Sequence, residues 1–387
     1  MTNNIKNKMG VLMEEIVVEG QVKIKVPRER SLSKKDKVFY NPKMEICRDI
    51  SVAVVQSFLN NYKRERFLVC DPLGGSGVRG IRYAKELINP AGTVEVVIND
   101  INPFAVELTE ENVRINDLKN VKVFNKDANV LLSEHFRTFN LIDLDPFGSP
   151  NPYLDSAIRS CITRDGIIAM TATDTAVLYG SYRKACIRNY DAIPLAGDKE
   201  LAVRLLIGYA IRVAGKYDIA LKPIFSHFTD HYIRTFLITE RGAKRADEAM
   251  EKLGYLKIED GEKVIRSREE GYEKGFGGLF YLGEINNMDT VGEALKIAQE
   301  RRYRERSVKI LREIYEECSV GNVIGCYNIH RVCSTIKEQV PPIRVLIEML
   351  KERGFKASRT HYDPNGIKTD GSITDVIECI REHNRGC

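Results

Sequence analysis

Short apolar runs, each ending in a carboxylate or a glycine-rich turn, punctuate the first 240 residues. Phe67–Cys70 runs into Asp71-Pro72-Leu73-Gly74-Gly75-Ser76-Gly77-Val78-Arg79-Gly80, and Thr93–Ile98 into Asn99-Asp100. Val121–Phe124 leads to Lys126-Asp127-Ala128-Asn129, and Phe139–Ile142 to Asp143–Pro150, which reads DLDPFGSP. Gly166–Met170 leads to Thr171-Ala172-Thr173-Asp174-Thr175. Continuous apolar runs of this length between turn residues predict buried strands. The helical periodicity of Ile50–Leu59, Ile81–Leu87 and Leu201–Ala214 predicts helices between them. Ile219–Phe225 and Tyr232–Thr239 predict a hairpin, and Glu14–Pro27, alternating around Gly20, predicts another at the N-terminus.

From Ala243 the rhythm changes. Charged segments and glycines precede a strand at Leu279–Ile285, and helices are expected at Val291–Arg304, Val308–Cys318, Asn328–Gln339 and Ile343–Arg353. A basic hairpin turning at Asp363-Pro364-Asn365-Gly366 follows. Helix, proline-started helix and basic hairpin resemble a winged-helix module, a binder of nucleic acid or protein. The division expected is residues 1–240 with an N-terminal hairpin extension, and 241–387 as an α+β C-terminal domain.

Composition narrows the class. With 387 residues, 43% of them hydrophobic and 29% charged, the chain has room for two soluble cores. No apolar run approaches the roughly 20 residues of a membrane span, and the first thirty lack a secretory core, so a cytoplasmic protein without a membrane partner is expected. The nine cysteines lack paired metal spacing, which favours reduced thiols over zinc. A net charge of +5 is mild, but it is unevenly spread. Lys23, Lys25, Arg28, Arg30, Lys34, Lys35 and Lys37 crowd one segment, and Arg301, Arg302, Arg304 and Arg306 another. Such runs are usually solvated faces; two of them beside candidate chemistry favour a nucleic-acid partner.

The chemistry gathers where the strands end, since ligands of open α/β sheets bind outside the carboxyl ends of the strands. Gly75-x-Gly77-x-x-Gly80 before a helix is a cradle for the polar end of a cofactor, and Asp100 stands where a ribose diol would be held. Asp100 and Asp127 could equally be helix N-caps. Four acidic strand ends in succession, Asp71, Asp100, Asp127 and Asp145, favour a site. A nicotinamide enzyme shares the first marks but needs a His or Tyr acid, and none stands at a strand end before Tyr179. Acid-Ala-Asn after the third strand and Asp-Pro-Phe-Gly after the fourth fit an S-adenosyl-L-methionine site better. Seven strands with a hairpin-linked last pair match the Rossmann-like sheet of class I adenosylmethionine-dependent methyltransferases.

Together these motifs resemble one family, the tRNA (guanine-26-N2,N2)-dimethyltransferases of archaea and eukaryotes. The stretches that carry the resemblance are VFYNP with RDISV, DPLGGSGVRGIR, DANVLL, DLDPFGSP, TATDTAVL, TDHYIRTF and THYDPNGIKTD, spanning Val38 to Thr369. The resemblance implies transfer of methyl groups from S-adenosyl-L-methionine to guanine N2 in tRNA. It implies donor contacts at Arg48, Arg79, Asp100, Asp127 and Ala128, with Asp145 as acceptor for the N2 amine. Phe147 and Phe39 would sandwich the flipped base. A monomer acting on tRNA is expected, with Lys356, Arg359, His361 and Lys368 of the basic hairpin on its phosphates. Two departures stand out: Cys47 precedes Arg48 where Asn is common, and residues 242–270 lack the cysteines of a zinc knuckle, so no metal is expected. The same residues leave open an amino-methyltransferase of another RNA or of DNA, and a non-catalytic tRNA-binding protein.

Overall fold

The computed structural model describes residues 14–27, 38–259 and 261–386. The cationic segment 28–37 therefore lies outside the described residues. Two antiparallel strands, β1 (Glu14–Glu19) and β2 (Val22–Pro27), precede helix α1 (Glu45–Leu59). Strand and helix then alternate: β3 (Arg66–Asp71), α2 (Val78–Glu86), β4 (Thr93–Asn99), α3 (Pro103–Ile115), β5 (Val121–Phe124), α4 (Ala128–Glu134), β6 (Leu141–Leu144), α5 (Asn151–Ser160) and β7 (Arg164–Ala172). Helices α6 (Thr175–Leu178), α7 (Arg183–Tyr190) and α8 (Lys199–Gly215) lead to β8 (Ile219–Thr229) and β9 (Tyr232–Arg241).

Seven strands form one sheet in the order β5-β4-β3-β6-β7-β9-β8. β5, β4, β3, β6 and β7 are parallel, and β9 runs antiparallel between β7 and β8. The chain starts at β3, winds outward to β5 and crosses back to β6. The order therefore reverses between β3 and β6, where an open sheet leaves its crevice. Asp71 ends β3 and Asp145 follows β6, so two of the acidic strand ends flank that crevice.

Both faces of the sheet are covered, which is why its central strands read as unbroken apolar runs. One core joins β3, β6 and β7 to α5 and α8 through Ile142, Leu144, Leu154, Ile158, Leu205 and Leu206. The other joins Phe67, Val69 and Ile98 to α1, α2 and the N-terminal hairpin through Ile50, Val54, Ile81, Val22 and Ile24.

Beyond β9 come α9 (Ala243–Glu251) and a small sheet ordered β11-β10-β12, made of β10 (Leu253–Glu259), β11 (Glu262–Ser267) and β12 (Gly277–Tyr281). Helices α10 (Met288–Glu300) and α11 (Glu305–Cys318) then return to the first half. Val291, Ala294, Leu311 and Ile314 share the core of α1. A buried polar cluster ties the same junction. Arg82 donates to Glu86, Asp49 and Glu19 at 2.6, 2.7 and 3.2 Å. Tyr303 donates to Glu86 at 2.5 Å, and Ser307 to Asp49 at 2.9 Å. The last part has its own core around Leu346, Leu350, Ile367 and Ile380. It is built from β13 (Tyr327–Asn328), α12 (Ile329–Ile336), α13 (Ile343–Glu352), β14 (Ala357–Thr360), β15 (Asp363–Thr369) and α14 (Ile373–Gly386). Among the described residues no helix is long and apolar enough to cross a membrane.

Candidate active site

The glycine turn after β3 is shaped by backbone geometry that only glycine adopts without strain. Gly75 and Gly77 have φ of +56° and +76°, and a Cβ on Gly77 would meet the Thr109 side chain at 2.6 Å. Asp100 pins the turn: its Oδ2 accepts the Gly75 N–H at 2.8 Å while its Oδ1 accepts that of Asn102 at 2.9 Å. Asn112 and Thr109 of α3 donate to the carbonyls of Ser76 and Gly75. Within this scaffold the Ser76 hydroxyl is buried and has no hydrogen-bond partner. A buried polar atom left open in a glycine turn marks a place for a ligand group, so the turn fits the polar end of an adenosyl cofactor. Asp127 is the N-cap of α4, its Oδ1 accepting from Asn129 and Val130 at 2.9 and 3.2 Å, with Ala128 buried behind it.

Arg79, on the first turn of α2, joins this turn to the DPFG loop. Its Nη2 donates to Asp145 Oδ2 at 2.5 Å and to Cys47 Sγ at 3.5 Å, and its Nη1 to Ser51 Oγ at 3.0 Å. Asp143, inside β6, lies 3.6 Å from Arg79 and receives Arg234 bidentately at 2.6 and 2.7 Å, with Tyr83 donating at 2.6 Å. Burial works against a charge on Asp143, but Arg234 and Arg79 overcome it and hold its carboxyl below the usual range. Asp71 has the opposite fate. Burial first, then the negative charge of Asp143, pushes it up to about 7 despite Arg79. Two carboxyls one strand apart thus divide into a permanent anion and a group that titrates near neutrality.

Asp145 keeps 23% of its side chain exposed at the mouth of the crevice. Phe147 is 42% exposed, and its ring meets that of Phe39 edge to face, centroids 4.4 Å apart. The two rings are in direct contact with each other. The loop is fixed from behind: Gly148 and Thr173 exchange two hydrogen bonds, and Tyr190 bridges Ser149 and Asp174 at 2.9 and 2.8 Å.

Sequence reasoning missed several of these partners. Arg48, a donor contact implied by the resemblance, has its Nε and Nη2 engaged by Glu19 of the N-terminal hairpin at 2.5 and 2.6 Å. Only its Nη1 corner is left for a ligand. Nothing in EEIVVEG distinguishes Glu19 from a surface glutamate; its burial follows from where the hairpin docks. Arg234 lies inside TDHYIRTF, a stretch noted without a role for that residue.

The expected phosphate-binding sets also change. Lys368 is buried with its Nζ on Glu200 at 2.6 Å, and His361 is paired with Glu317 at 2.5 Å. Arg304 and Arg306 form ion pairs with Glu45 and Asp230. A cation neutralised inside the fold, as Lys368 is, has little to offer a phosphate; Arg304 and Arg306 stay exposed beside their carboxylate partners, and Arg302, Lys356 and Arg359 are exposed with no ion pair among the described residues.

Comparison with known proteins places this geometry. Residues 20–381 match the N2,N2-dimethylguanosine tRNA methyltransferase family. The tRNA (guanine(26)-N(2))-dimethyltransferase of Methanococcus aeolicus is 58% identical over 95% of this chain and 98% of its own. The enzyme of that name from Methanocaldococcus jannaschii is 52% identical over 94% and 98%. The complex of Trm1 from Pyrococcus horikoshii with S-adenosyl-L-methionine superimposes with a TM-score of 0.83 at 35% identity, covering 95% of this chain and 99% of that one. Sequence and overall fold agree over nearly the whole length, and the chain belongs to the N2,N2-dimethylguanosine tRNA methyltransferase family.

Proposed function

We propose that this methyltransferase moves methyl groups from S-adenosyl-L-methionine to the exocyclic N2 of guanine 26 in tRNA, giving N2-methyl- and then N2,N2-dimethylguanosine. The observation that carries the reading is the Arg79 bridge. A glycine turn built for a polar ligand and a partly exposed carboxylate beside an exposed aromatic ring are joined by one guanidinium.

In this reading Asp100 holds the donor's ribose hydroxyls, Asp127 and Ala128 border its adenine, and the glycine turn, Arg79 and the Nη1 corner of Arg48 meet its methionine portion. The bound donor supplies an electrophilic methyl group on a sulfonium. The protein's own work is on the acceptor. Guanine N2 is a poor nucleophile because its lone pair is delocalised into the ring. Asp145, oriented by Arg79, accepts an N2–H bond, localises that lone pair and takes the proton as positive charge develops. Phe147 swings from Phe39 to open a stacking face for the extruded base, since chemistry on a paired base requires it to leave the stack. Holding amine and methyl in line supplies much of the acceleration. Residues 1–240 carry this chemistry, and 241–387 hold the tRNA.

The test is incorporation of a labelled methyl group into tRNA, ribosomal RNA and DNA, followed by mass spectrometry of the nucleosides. Dimethylguanosine from tRNA alone is expected. Label in another RNA or in DNA would redirect the substrate, and no label would remove the catalytic reading.

A further inference from the structure

Helix α7 presents a cationic face that the mechanism above does not use. Its inner side is set by Cys186 and Tyr190, four residues apart and both fully buried. The outer side carries Arg183, Lys184 and Arg188, all exposed, with Tyr182 62% and Ile187 42% exposed. None of the three cations has an ion-pair partner among the described residues. Residues 175–190 contain no Asp or Glu. Lys184 and Arg188 are spaced i, i+4, where like charges repel. The helix therefore keeps an unneutralised charge that works against it when it is alone, unlike Arg304, Arg306 and Lys368.

Its position gives that charge a use. Tyr190, the last residue of α7, donates to Asp174 and is hydrogen-bonded to the Ser149 hydroxyl, and Asn151 donates to the Asn189 carbonyl at 2.6 Å. Ser149 and Asn151 continue the DPFG loop, so α7 is hydrogen-bonded to the segment that holds Asp145 and Phe147. Arg212 anchors the helix end from α8, donating to the Tyr190 carbonyl at 2.5 Å and to Asp191 at 2.8 Å. Three free cations with an exposed tyrosine, rigidly attached to the lip of the crevice, match a polyanionic backbone whose bases can stack.

We propose that the outer face of α7 grips the phosphates of the RNA strand next to the extruded guanine, placing a substrate-binding surface on the catalytic half itself. This rests on the RNA methyltransferase reading given above. Phosphates held there fix the register of the strand, while base contacts belong to the crevice.

The test is the full-length variant R183A/K184A/R188A, assayed on tRNA across a salt series, with adenosylhomocysteine binding followed by calorimetry. The changed residues are on the surface, so its unfolding transition should match wild type. The KM for tRNA should rise on the order of tenfold or more, and the slope of log KM against log salt should flatten by about two. Affinity for adenosylhomocysteine should not move, and R183K/R188K should keep the wild-type slope. The control K63A/K119A/K122A, with Lys63 just before β3 and Lys119 and Lys122 at the β5 edge, should leave both tRNA parameters unchanged. A wild-type KM and slope in the α7 variant, or an equal loss in the control, would overturn the assignment. A wild-type protein that labels no RNA at all would instead overturn the reading beneath it.

Discussion

Arg79 Nη2 and Asp145 Oδ2 stand 2.5 Å apart, one at the start of α2 and the other beyond β6. That pair spans the crevice between the glycine turn after β3 and the DPFG loop after β6. The Arg79 side chain is 5% exposed and is also tied to Ser51 and Cys47, so Asp145 is aimed by a group that cannot itself wander.

Asp145→Ala should lower methyl transfer to tRNA by about 10²–10³ while adenosylhomocysteine affinity stays near wild type. Removing one preorganised polar group from a site typically has that effect. Single-turnover assays beside calorimetry separate the two quantities, and wild-type turnover would reassign the role of Asp145.

Asp100→Ala should act on the donor instead. The ribose would lose a charge-assisted acceptor worth roughly 1.5–3 kcal/mol. The same change releases the Gly75 N–H, so the turn itself should loosen. Calorimetry with adenosylhomocysteine reads the weakening, and an unchanged dissociation constant would move the ribose site elsewhere.

The Asp143–Arg234 pair predicts a stability effect. Arg234→Met leaves the buried carboxylate of Asp143 with Arg79 as its remaining cation and should destabilise the fold by about 3–5 kcal/mol. The double variant D143N/R234M should recover most of that loss, measured by denaturant unfolding. Equal losses in single and double variants would show that the two residues act independently.

Glu200 predicts an acid limb. Burial alone would raise its carboxyl, but Lys368 and Arg204 overcome burial and push it down to about 2 from an ordinary 4.5. Its folded value lies below the unfolded one, so its stability contribution is present above about pH 4.5 and fades as pH falls toward 2. Asp71, raised from 3.8 to about 7, has the opposite sign: its contribution is complete below about pH 3.8 and fades as pH rises through 7. In thermal unfolding, Glu200→Gln should be less stable at neutral pH and should lose less on acidification than wild type. Asp71→Asn should remove part of the decline between pH 4 and 7.

The elements that sequence made legible are those with one dominant signal. The apolar runs of β3, β4 and β6 and the carboxylates after them were readable because burial on both sheet faces demands unbroken hydrophobicity. The β10–β11 hairpin was not, because Lys257, Glu259, Glu262 and Lys263 give it the composition of a loop. It pairs as a hairpin all the same, and β12 completes its sheet. At the site, Asp145 and Asp100 announced themselves by position, whereas Glu19 and Arg234 did not. Their burial is created by partners 29 and 91 residues away in the chain, Arg48 and Asp143. The basic hairpin shows the same limit from the other side. Nothing local says that Lys368 turns inward to Glu200 while Arg359 turns out.

The buried junction of Glu19, Asp49, Arg82 and Glu86 with Tyr303 and Ser307 bears on how the chain is made. As it leaves the ribosome, the first 240 residues can pair their sheet, but α1 keeps one apolar flank uncovered, and Glu86 and Asp49 lack the hydroxyls of Tyr303 and Ser307 until α10 and α11 have emerged. The contact between residues 49 and 307 closes a loop of more than half the chain, and closures of that separation slow folding. A nascent chain arrested after Gly242 should therefore be sensitive to protease, and one arrested well past Cys318 resistant. Completion of the helix that carries Cys47 and Arg48 is thus timed by synthesis of the second half.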